Sequence, residues 1–227
     1  MSKVFVIAVA WIIFLPSPAY SIETSRALLE RASADLDAGK IDSSLALAER
    51  CIKLYPRCAG AFLIKARCLE VNNNIEGALQ SVRAAARMDK NLPEVYKHYG
   101  SIACEAGKYN EGIEALSAAI KLYPQTKSYY HYRSMAYGAI KRYDLAIKDL
   151  DEYLKLGPEK SVGWFWRGAA YEQVGNTARA IKDYSMAVKL KPQSADFLVA
   201  RAKAYEKLGK LDLALKDMTR ASKIDFM

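Results

Sequence analysis

Apolar residues recur at helical spacing along most of the chain, and the whole pattern returns every 34 residues. Pro124, Pro158 and Pro192 follow one another at this interval, and Pro56 lies two intervals before Pro124. Within each interval, two stretches of helical periodicity flank a short turn with Gly or Asn, as at residues 105–108. The pattern therefore predicts an array of helical hairpins.

Each predicted hairpin also has fixed large and small positions. The interval places the repeats at residues 25–58, 59–92, 93–126, 127–160, 161–194 and 195–227. In every repeat, positions 8 and 20 hold only Gly, Ala or Ser, and positions 4 and 21 hold larger apolar residues. Because positions 8 and 20 face each other in two antiparallel helices, small residues there let the helices approach closely. One hairpin cannot bury its apolar face alone, so we expect a single stacked array over residues 22–227.

These positions resemble those of the tetratricopeptide repeat family. Segment 164–171 carries the resemblance most fully, since it reads WFWRGAAY and is followed by further matching residues, Gly175, Ala180, Ile181, Tyr184, Ala187 and Pro192. The resemblance covers residues 25–227 and implies an all-α, right-handed superhelical solenoid of about six helix-turn-helix repeats. It also implies a scaffold that binds a protein or peptide partner in its concave groove, and not an enzyme.

The same resemblance implies that positions 2, 5, 9, 12 and 13 of each first helix line the groove, joined in part by position 6. In the middle repeats the candidate groove residues are Leu63, Arg67, Lys97, Ser101, Glu105, His131, Tyr132, Met135, Phe165, Trp166 and Glu172. Their aromatic and Met-rich part, between the third and fifth repeats, suits a partially apolar peptide. The alternative is that side chains such as Tyr132 and Trp166 only pack against neighbouring helices.

Two neighbouring repeats depart together from the family pattern. Tyr153 occupies position 27 of the fourth repeat, where the family has a small residue. Gly163 occupies position 3 of the fifth repeat, where the other repeats have Ala, Val, Tyr or Phe. Since these two positions should meet between neighbouring hairpins, we hypothesise an exchange in which the Tyr153 ring fills the space left by Gly163.

An arginine at position 7 and an aspartate at position 23 occur together in the last three repeats only. The resulting pairs are Arg133 with Asp149, Arg167 with Asp183, and Arg201 with Asp217. Pairing within each hairpin gives every member a partner, whereas pairing to the next hairpin leaves Arg133 and Asp217 without one. We therefore predict structural ion pairs between the two helices of each hairpin.

Residues 1–21 differ from the repeats. Lys3 precedes the uninterrupted apolar run Val4–Leu15, and prolines and small residues follow it as far as Ser21. This order is typical of a secretory signal peptide, and the run is shorter than the ~20 residues that a membrane-spanning helix needs. We therefore predict export to a periplasmic or secreted location, with an uncleaved membrane anchor as the alternative.

Composition and charge narrow the function classes. With 52% hydrophobic and 26% charged residues, the 227-residue chain has the make-up of a globular protein. The formal net charge is +9, but basic groove candidates such as Arg67 and Lys97 are mixed with acidic ones such as Glu105 and Glu172. A groove that follows phosphates concentrates Lys and Arg on one face. The mixture argues against a nucleic-acid partner and makes an RNA-binding helical repeat the lesser alternative.

Side chains for catalysis or metal binding do not cluster in the sequence. The two histidines, His98 and His131, fall in different repeats, and no phosphate loop or nucleophile motif occurs. We therefore expect no catalytic residue, no metal site and no cofactor. Among the four cysteines, Cys68 and Cys104 form the pair worth testing for a disulfide, and buried free thiols are the default.

The C-terminal end supplies another alternative function. Ile224, Phe226 and Met227 give the sixth repeat an apolar end. An exposed apolar end would support self-association. A self-associating assembly factor is therefore the alternative to a scaffold for a different partner.

Overall fold

The computed structural model describes residues 24–225. These residues form twelve α-helices and no strand: α1 (Ser25–Asp37), α2 (Ile41–Leu54), α3 (Ala59–Val71), α4 (Ile75–Met88), α5 (Pro93–Glu105), α6 (Tyr109–Leu122), α7 (Lys127–Ala139), α8 (Tyr143–Lys155), α9 (Ser161–Gln173), α10 (Thr177–Leu190), α11 (Ala195–Lys207) and α12 (Leu211–Asp225). Consecutive helices pair as hairpins, and each hairpin packs on the next. The predicted all-α solenoid of about six helix-turn-helix repeats is confirmed.

The first helix of every hairpin is followed by one residue in the left-handed region. That residue is always position 15 of the repeat: Gly39, Asn73, Gly107, Lys141, Gly175 and Gly209, with φ between +58° and +76°. The next residue donates its backbone N–H five residues back, as from Lys40 to the Asp35 carbonyl at 2.8 Å. Gly and Asn adopt this conformation at low cost, whereas Lys141 adopts it against its Cβ.

Small residues bring the two helices of a hairpin together at positions 8 and 20. In the first hairpin the Ser44 hydroxyl donates a hydrogen bond of 2.7 Å to the Ala32 carbonyl. In the third, a Cβ on Gly112 would lie 3.4 Å from the Gly100 carbonyl oxygen. A Cβ on Gly100 would lie 2.5 Å from Cδ1 of the buried Leu116. Larger side chains at these positions would therefore separate the helices.

Buried side chains join each second helix to the first helix of the following hairpin. Ile102 on α5 packs with Leu79 and Val82 on α4, and all three are fully buried. At the next-but-one junction, a Cβ on Gly163 in α9 would lie only 2.6 Å from Cε1 of Tyr153 in α8. The large-for-small exchange hypothesised from the sequence is therefore present in the structure.

The four cysteines all lie within the described residues and are free thiols. Cys68 donates a hydrogen bond of 3.3 Å to the Ser44 hydroxyl, so it faces the first hairpin. The disulfide between Cys68 and Cys104 considered from the sequence is absent. Burial raises the pKa of the Cys51 thiol to about 12 and that of the Cys104 thiol to about 11, which keeps both protonated at neutral pH.

The N-terminal prediction falls outside this part of the chain. Residues 1–21, interpreted as a signal peptide or an uncleaved anchor, lie outside the described residues, and so do Phe226 and Met227. Within residues 24–225, no helix combines the length and the apolar character needed to cross a membrane.

Candidate functional site

Three buried ion pairs hold the two helices of the last three hairpins together. The guanidinium groups of Arg133, Arg167 and Arg201 each donate two hydrogen bonds of 2.6–2.8 Å to one carboxylate of their own hairpin. The carboxylates belong to Asp149, Asp183 and Asp217, which are at most 4% exposed. These are the pairs inferred from positions 7 and 23, and their two-pronged geometry fixes the spacing of the helices.

The same arginines also reach the preceding hairpin, which the sequence reasoning missed. Each guanidinium donates a third hydrogen bond to the residue at position 25 of the preceding repeat. For Arg167 this bond runs from Nη1 to Asp151 Oδ1 at 2.7 Å. Arg133 and Arg201 bind serine hydroxyls at that position. In the first half of the array, Lys65 and Glu49 pair at 2.8 Å across the same two positions. In these four hairpins position 7 therefore links neighbouring hairpins, which is a structural role.

Two adjacent cavities lie along the predicted groove between the third and fifth repeats. The third-to-fourth cavity, about 400 Å³, is lined by the predicted residues Ser101, Glu105, Tyr132 and Met135. The fourth-to-fifth cavity, about 360 Å³, is lined by Met135 and Trp166. Met135 borders both cavities and is 53% exposed. The structure therefore brings together the aromatic and Met-rich part of the predicted groove.

Residues of the second helices also line these cavities. Tyr109 at the start of α6 borders the third-to-fourth cavity, and Tyr143 at the start of α8 borders the other. Sequence reasoning missed both, because the family resemblance assigned the groove to the first helices. The shared signal is position 17 of the repeat, which holds Tyr in both hairpins.

An aromatic stack fixes the wall of the fourth-to-fifth cavity. The rings of His131 and Trp166 lie 3.9 Å apart at an interplanar angle of 13°. Tyr132 and Tyr153 flank His131 with centroid distances of 5.2 and 5.9 Å. Burial lowers the pKa of His131 to about 4, and its Nδ1 is buried without a hydrogen-bond partner. The imidazole is therefore neutral near pH 7, and Trp166 both packs on a neighbouring helix and borders the cavity.

Several other predicted groove residues contact the protein itself. Phe165 lies between hairpins, with ring centroids 5.0 Å from Phe197 and 5.7 Å from Tyr184. The Glu172 carboxylate accepts hydrogen bonds of 2.8 Å from both the Tyr184 hydroxyl and Lys207 Nζ. Leu63 packs against the core between the second and third hairpins. These contacts favour the alternative for Phe165, Glu172 and Leu63, namely that the side chains stabilise the array and do not bind a ligand.

In the groove of the first three hairpins, basic and acidic side chains lie close to one another. Arg67 Nη2 lies 3.8 Å from Asp37 Oδ1. Burial, together with Lys97 and Arg67, lowers the pKa of His98 to about 4. Burial and the neighbouring Glu105 raise the pKa of Glu70. Within the described residues, no three His, Cys, Asp or Glu side chains come close enough to hold a metal ion.

A family model for the tetratricopeptide repeat matches residues 29–93, 100–161, 133–195 and 167–224, which together cover most of the chain. The chain belongs to the tetratricopeptide repeat family. Members of this family are generally non-catalytic scaffolds for interactions between proteins.

Solved tetratricopeptide repeat structures resemble this chain over most of its length. PilF from Pseudomonas aeruginosa is 17% identical with a TM-score of 0.73, covering 86% of this chain and 89% of its own. MamA from Desulfovibrio magneticus RS-1 is 20% identical with a TM-score of 0.69, covering 74% and 94%. YrrB, described as having an unusual peptide-binding site, is 18% identical with a TM-score of 0.65, covering 78% and 91%. No curated protein gives a significant match. At these identities the likeness shows the fold alone.

Proposed function

We propose that this tetratricopeptide repeat protein is a non-catalytic scaffold that binds a partially apolar peptide or protein segment at the two cavities around Met135. The observation that carries the proposal is the meeting of these cavities at one exposed methionine, beside Tyr132 and Trp166. A thioether adapts its shape to an apolar ligand, and rigid aromatic walls add contact area at low entropic cost.

The charges around the cavities define the ligand further. Among the described residues, no charged side chain lines the fourth-to-fifth cavity, so an uncharged apolar side chain of the partner fits there. Within residues 24–225, the third-to-fourth cavity has a single charged side chain, that of Glu105, beside Ser101 and Tyr132. A ligand with an apolar anchor and a neighbouring hydrogen-bond donor or basic group is therefore complementary to both cavities.

Selection from a random displayed peptide library tests this proposal. We expect the chain to enrich peptides that share an apolar anchor, and Met135→Glu to lose their binding because it places a charge between the two cavities. Leu122→Glu is the matched control, since Leu122 is 49% exposed and lies outside both cavities. Enriched peptides that bind Met135→Glu as well as the parent chain would refute the groove. Equal melting temperatures of the two variants would show that any loss of peptide binding in Met135→Glu does not come from loss of folding.

Residues 1–21 support the proposal that the scaffold acts in an exported compartment. Mass analysis of the chain recovered from producing cells separates the two alternatives. A chain that begins at or near residue 22 indicates a cleaved signal peptide. A chain that keeps residues 1–21 and remains with the membrane indicates an anchor, and a chain that keeps them in the cytosol contradicts export.

Self-association is the second candidate function, and one observation favours it. Leu211, Leu215 and Met218 on α12 are 64%, 69% and 47% exposed, so one helix presents three large apolar side chains to water. Sedimentation over a wide range of concentrations tests it directly. An apparent mass that rises with concentration supports self-association, and a constant monomer mass excludes it.

A further inference from the structure

The exposed apolar residues of α12 occupy positions that the other second helices bury. Met218 stands at position 24, where the residues of the five preceding hairpins are at most 3% exposed. Leu215 stands at position 21, where Leu79 is fully buried and the other four residues are partly buried. In those hairpins the first helix of the next hairpin covers both positions. Helix α12 therefore presents a surface shaped to receive a first helix.

The opposite end of the array presents the complementary surface. Ala34 stands at position 10 of α1 and is exposed. In the five later hairpins the residues at position 10 are at most 8% exposed, and they are small or medium apolar residues throughout. Each of them is covered by the hairpin that precedes it. Helix α1 therefore carries the face with which every later first helix docks.

The contacts inside the array show how these two surfaces meet. Ile102, at position 10 of the third hairpin, packs with Leu79 and Val82, at positions 21 and 24 of the second. Ala204, at position 10 of the sixth, packs in the same cluster as Tyr184, at position 24 of the fifth. Position 10 of one hairpin thus packs beside positions 21 and 24 of the hairpin before it at two separate junctions of the array.

We infer that α1 of one copy docks on α12 of a second copy, in the geometry that neighbouring hairpins use within one chain. The inference rests on self-association, the second candidate function, and assigns it a partner surface. Ala34 of one copy then lies on Leu215 and Met218 of the other. The contact removes the exposed α12 leucine and methionine side chains from water, which stabilises it.

A polar contact also recurs at the junctions inside the array. Arg133 and Arg201, at position 7, donate to the hydroxyls of Ser117 and Ser185, at position 25 of the preceding hairpin, at 2.9 and 3.2 Å. Position 7 of α1 is an arginine, and position 25 of α12 is a threonine. Docking of α1 on α12 in the array geometry therefore places another guanidinium beside a hydroxyl. Since the two surfaces differ, a pair of docked copies leaves one α1 face and one α12 face uncovered. Further copies can dock on these faces, so the contact extends into an open chain of copies.

Mixing two variants that block opposite ends tests this inference. Sedimentation of the full chain should show mass rising with concentration. Ala34→Lys, which blocks the α1 face, and Leu215→Glu, which blocks the α12 face, should each remain monomeric alone. An equimolar mixture should form dimers and nothing larger, because the open α12 of one variant accepts the open α1 of the other. Leu190→Glu, at a leucine 41% exposed on α10, should associate like the parent chain.

The remaining outcomes distinguish failure of the head-to-tail contact from failure of self-association itself. Ala34→Lys that still associates alone would show that two α12 surfaces pair with each other, which overturns the head-to-tail contact and keeps self-association. A parent chain that stays monomeric at every concentration would overturn both. Circular dichroism of each variant confirms that loss of association is not loss of fold, and peptide binding at Met135 should be the same in all of them.

Discussion

The packing of Tyr153 on Gly163 gives the sharpest stability prediction. A Cβ added at Gly163 would lie 2.6 Å from Cε1 and 2.9 Å from Cδ1 of the Tyr153 ring, whereas carbon atoms in contact prefer about 3.5–4.0 Å. The ring has to move by roughly 1 Å, and it is only 8% exposed, packed with Tyr130 and Leu154. Overpacking of this kind costs about 1–3 kcal/mol.

A second glycine isolates this cost. Replacing Gly by Ala inside a helix stabilises it by about 1 kcal/mol through helix propensity, and that gain partly hides the clash at Gly163. Gly138 is the second-last residue of α7, and a Cβ there would meet nothing within 4 Å. Gly163→Ala should therefore be less stable than Gly138→Ala by about 1–3 kcal/mol in urea unfolding followed by circular dichroism.

Removing the ring should reduce the effect. In a Tyr153→Leu background the two ring atoms that meet the new Cβ are gone and Leu154 Cδ2, at 2.9 Å, remains, so Gly163→Ala should destabilise the chain less relative to that background. A double-mutant cycle then gives a coupling between the two sites of about 0.5–3 kcal/mol. Equal stabilities of Gly163→Ala and Gly138→Ala, or a coupling indistinguishable from zero, would refute the reasoning.

Three further predictions follow from the turns, the ion pairs and the buried histidine. Lys141→Gly should stabilise the chain by about 1 kcal/mol because it removes the side chain from a left-handed residue, and Gly107→Lys should destabilise it by about 1–2 kcal/mol; thermal unfolding compares the two. Asp149→Ala should cost about 3–5 kcal/mol in urea unfolding because it leaves the mostly buried Arg133 guanidinium with a serine hydroxyl and no carboxylate. Glu49→Ala breaks a more exposed pair and should cost no more than about 1 kcal/mol. Equal losses of stability in the two variants would contradict the argument that burial makes the aspartate pair the more important one. The pKa of His131 falls from about 6.5 unfolded to about 4 folded, so the unfolded state binds the proton more tightly and stability should fall as pH drops from about 6.5 towards 4. In His131→Phe the pH dependence of the melting temperature should be weaker, with His98 among the groups that still contribute to it, and an unchanged dependence would contradict the role of His131.

The repeat pattern predicted the fold because helix packing depends on residue size at fixed positions. Gly100 and Gly112 are small where two helices cross, and the Tyr153 and Gly163 exchange was visible because each departs from its own column in adjacent repeats. The left-handed turn at Lys141 follows from the repeat register. The packing of the two flanking helices sets the backbone conformation there, whatever the residue type.

The candidate site was less predictable because it depends on side-chain directions between helices. Tyr132 and Met135 lie where helical spacing put them. The stack of His131 on Trp166 could not be deduced, since it joins residues of different hairpins through their rotamers. Tyr109 and Tyr143 were missed because helical spacing within a first helix carries no information on which second-helix residues reach the same cavity.

Methyl NMR of the labelled methionines tests the central claim most directly, with a library-selected peptide as ligand. Met135 borders both cavities, whereas Met218 lies on α12 and is exposed to a similar extent. Peptide binding in the groove predicts that the Met135 methyl resonance shifts in a saturable manner and the Met218 resonance stays in place. A shift confined to Met218, or saturable binding that leaves Met135 unchanged, would contradict the groove as the binding site.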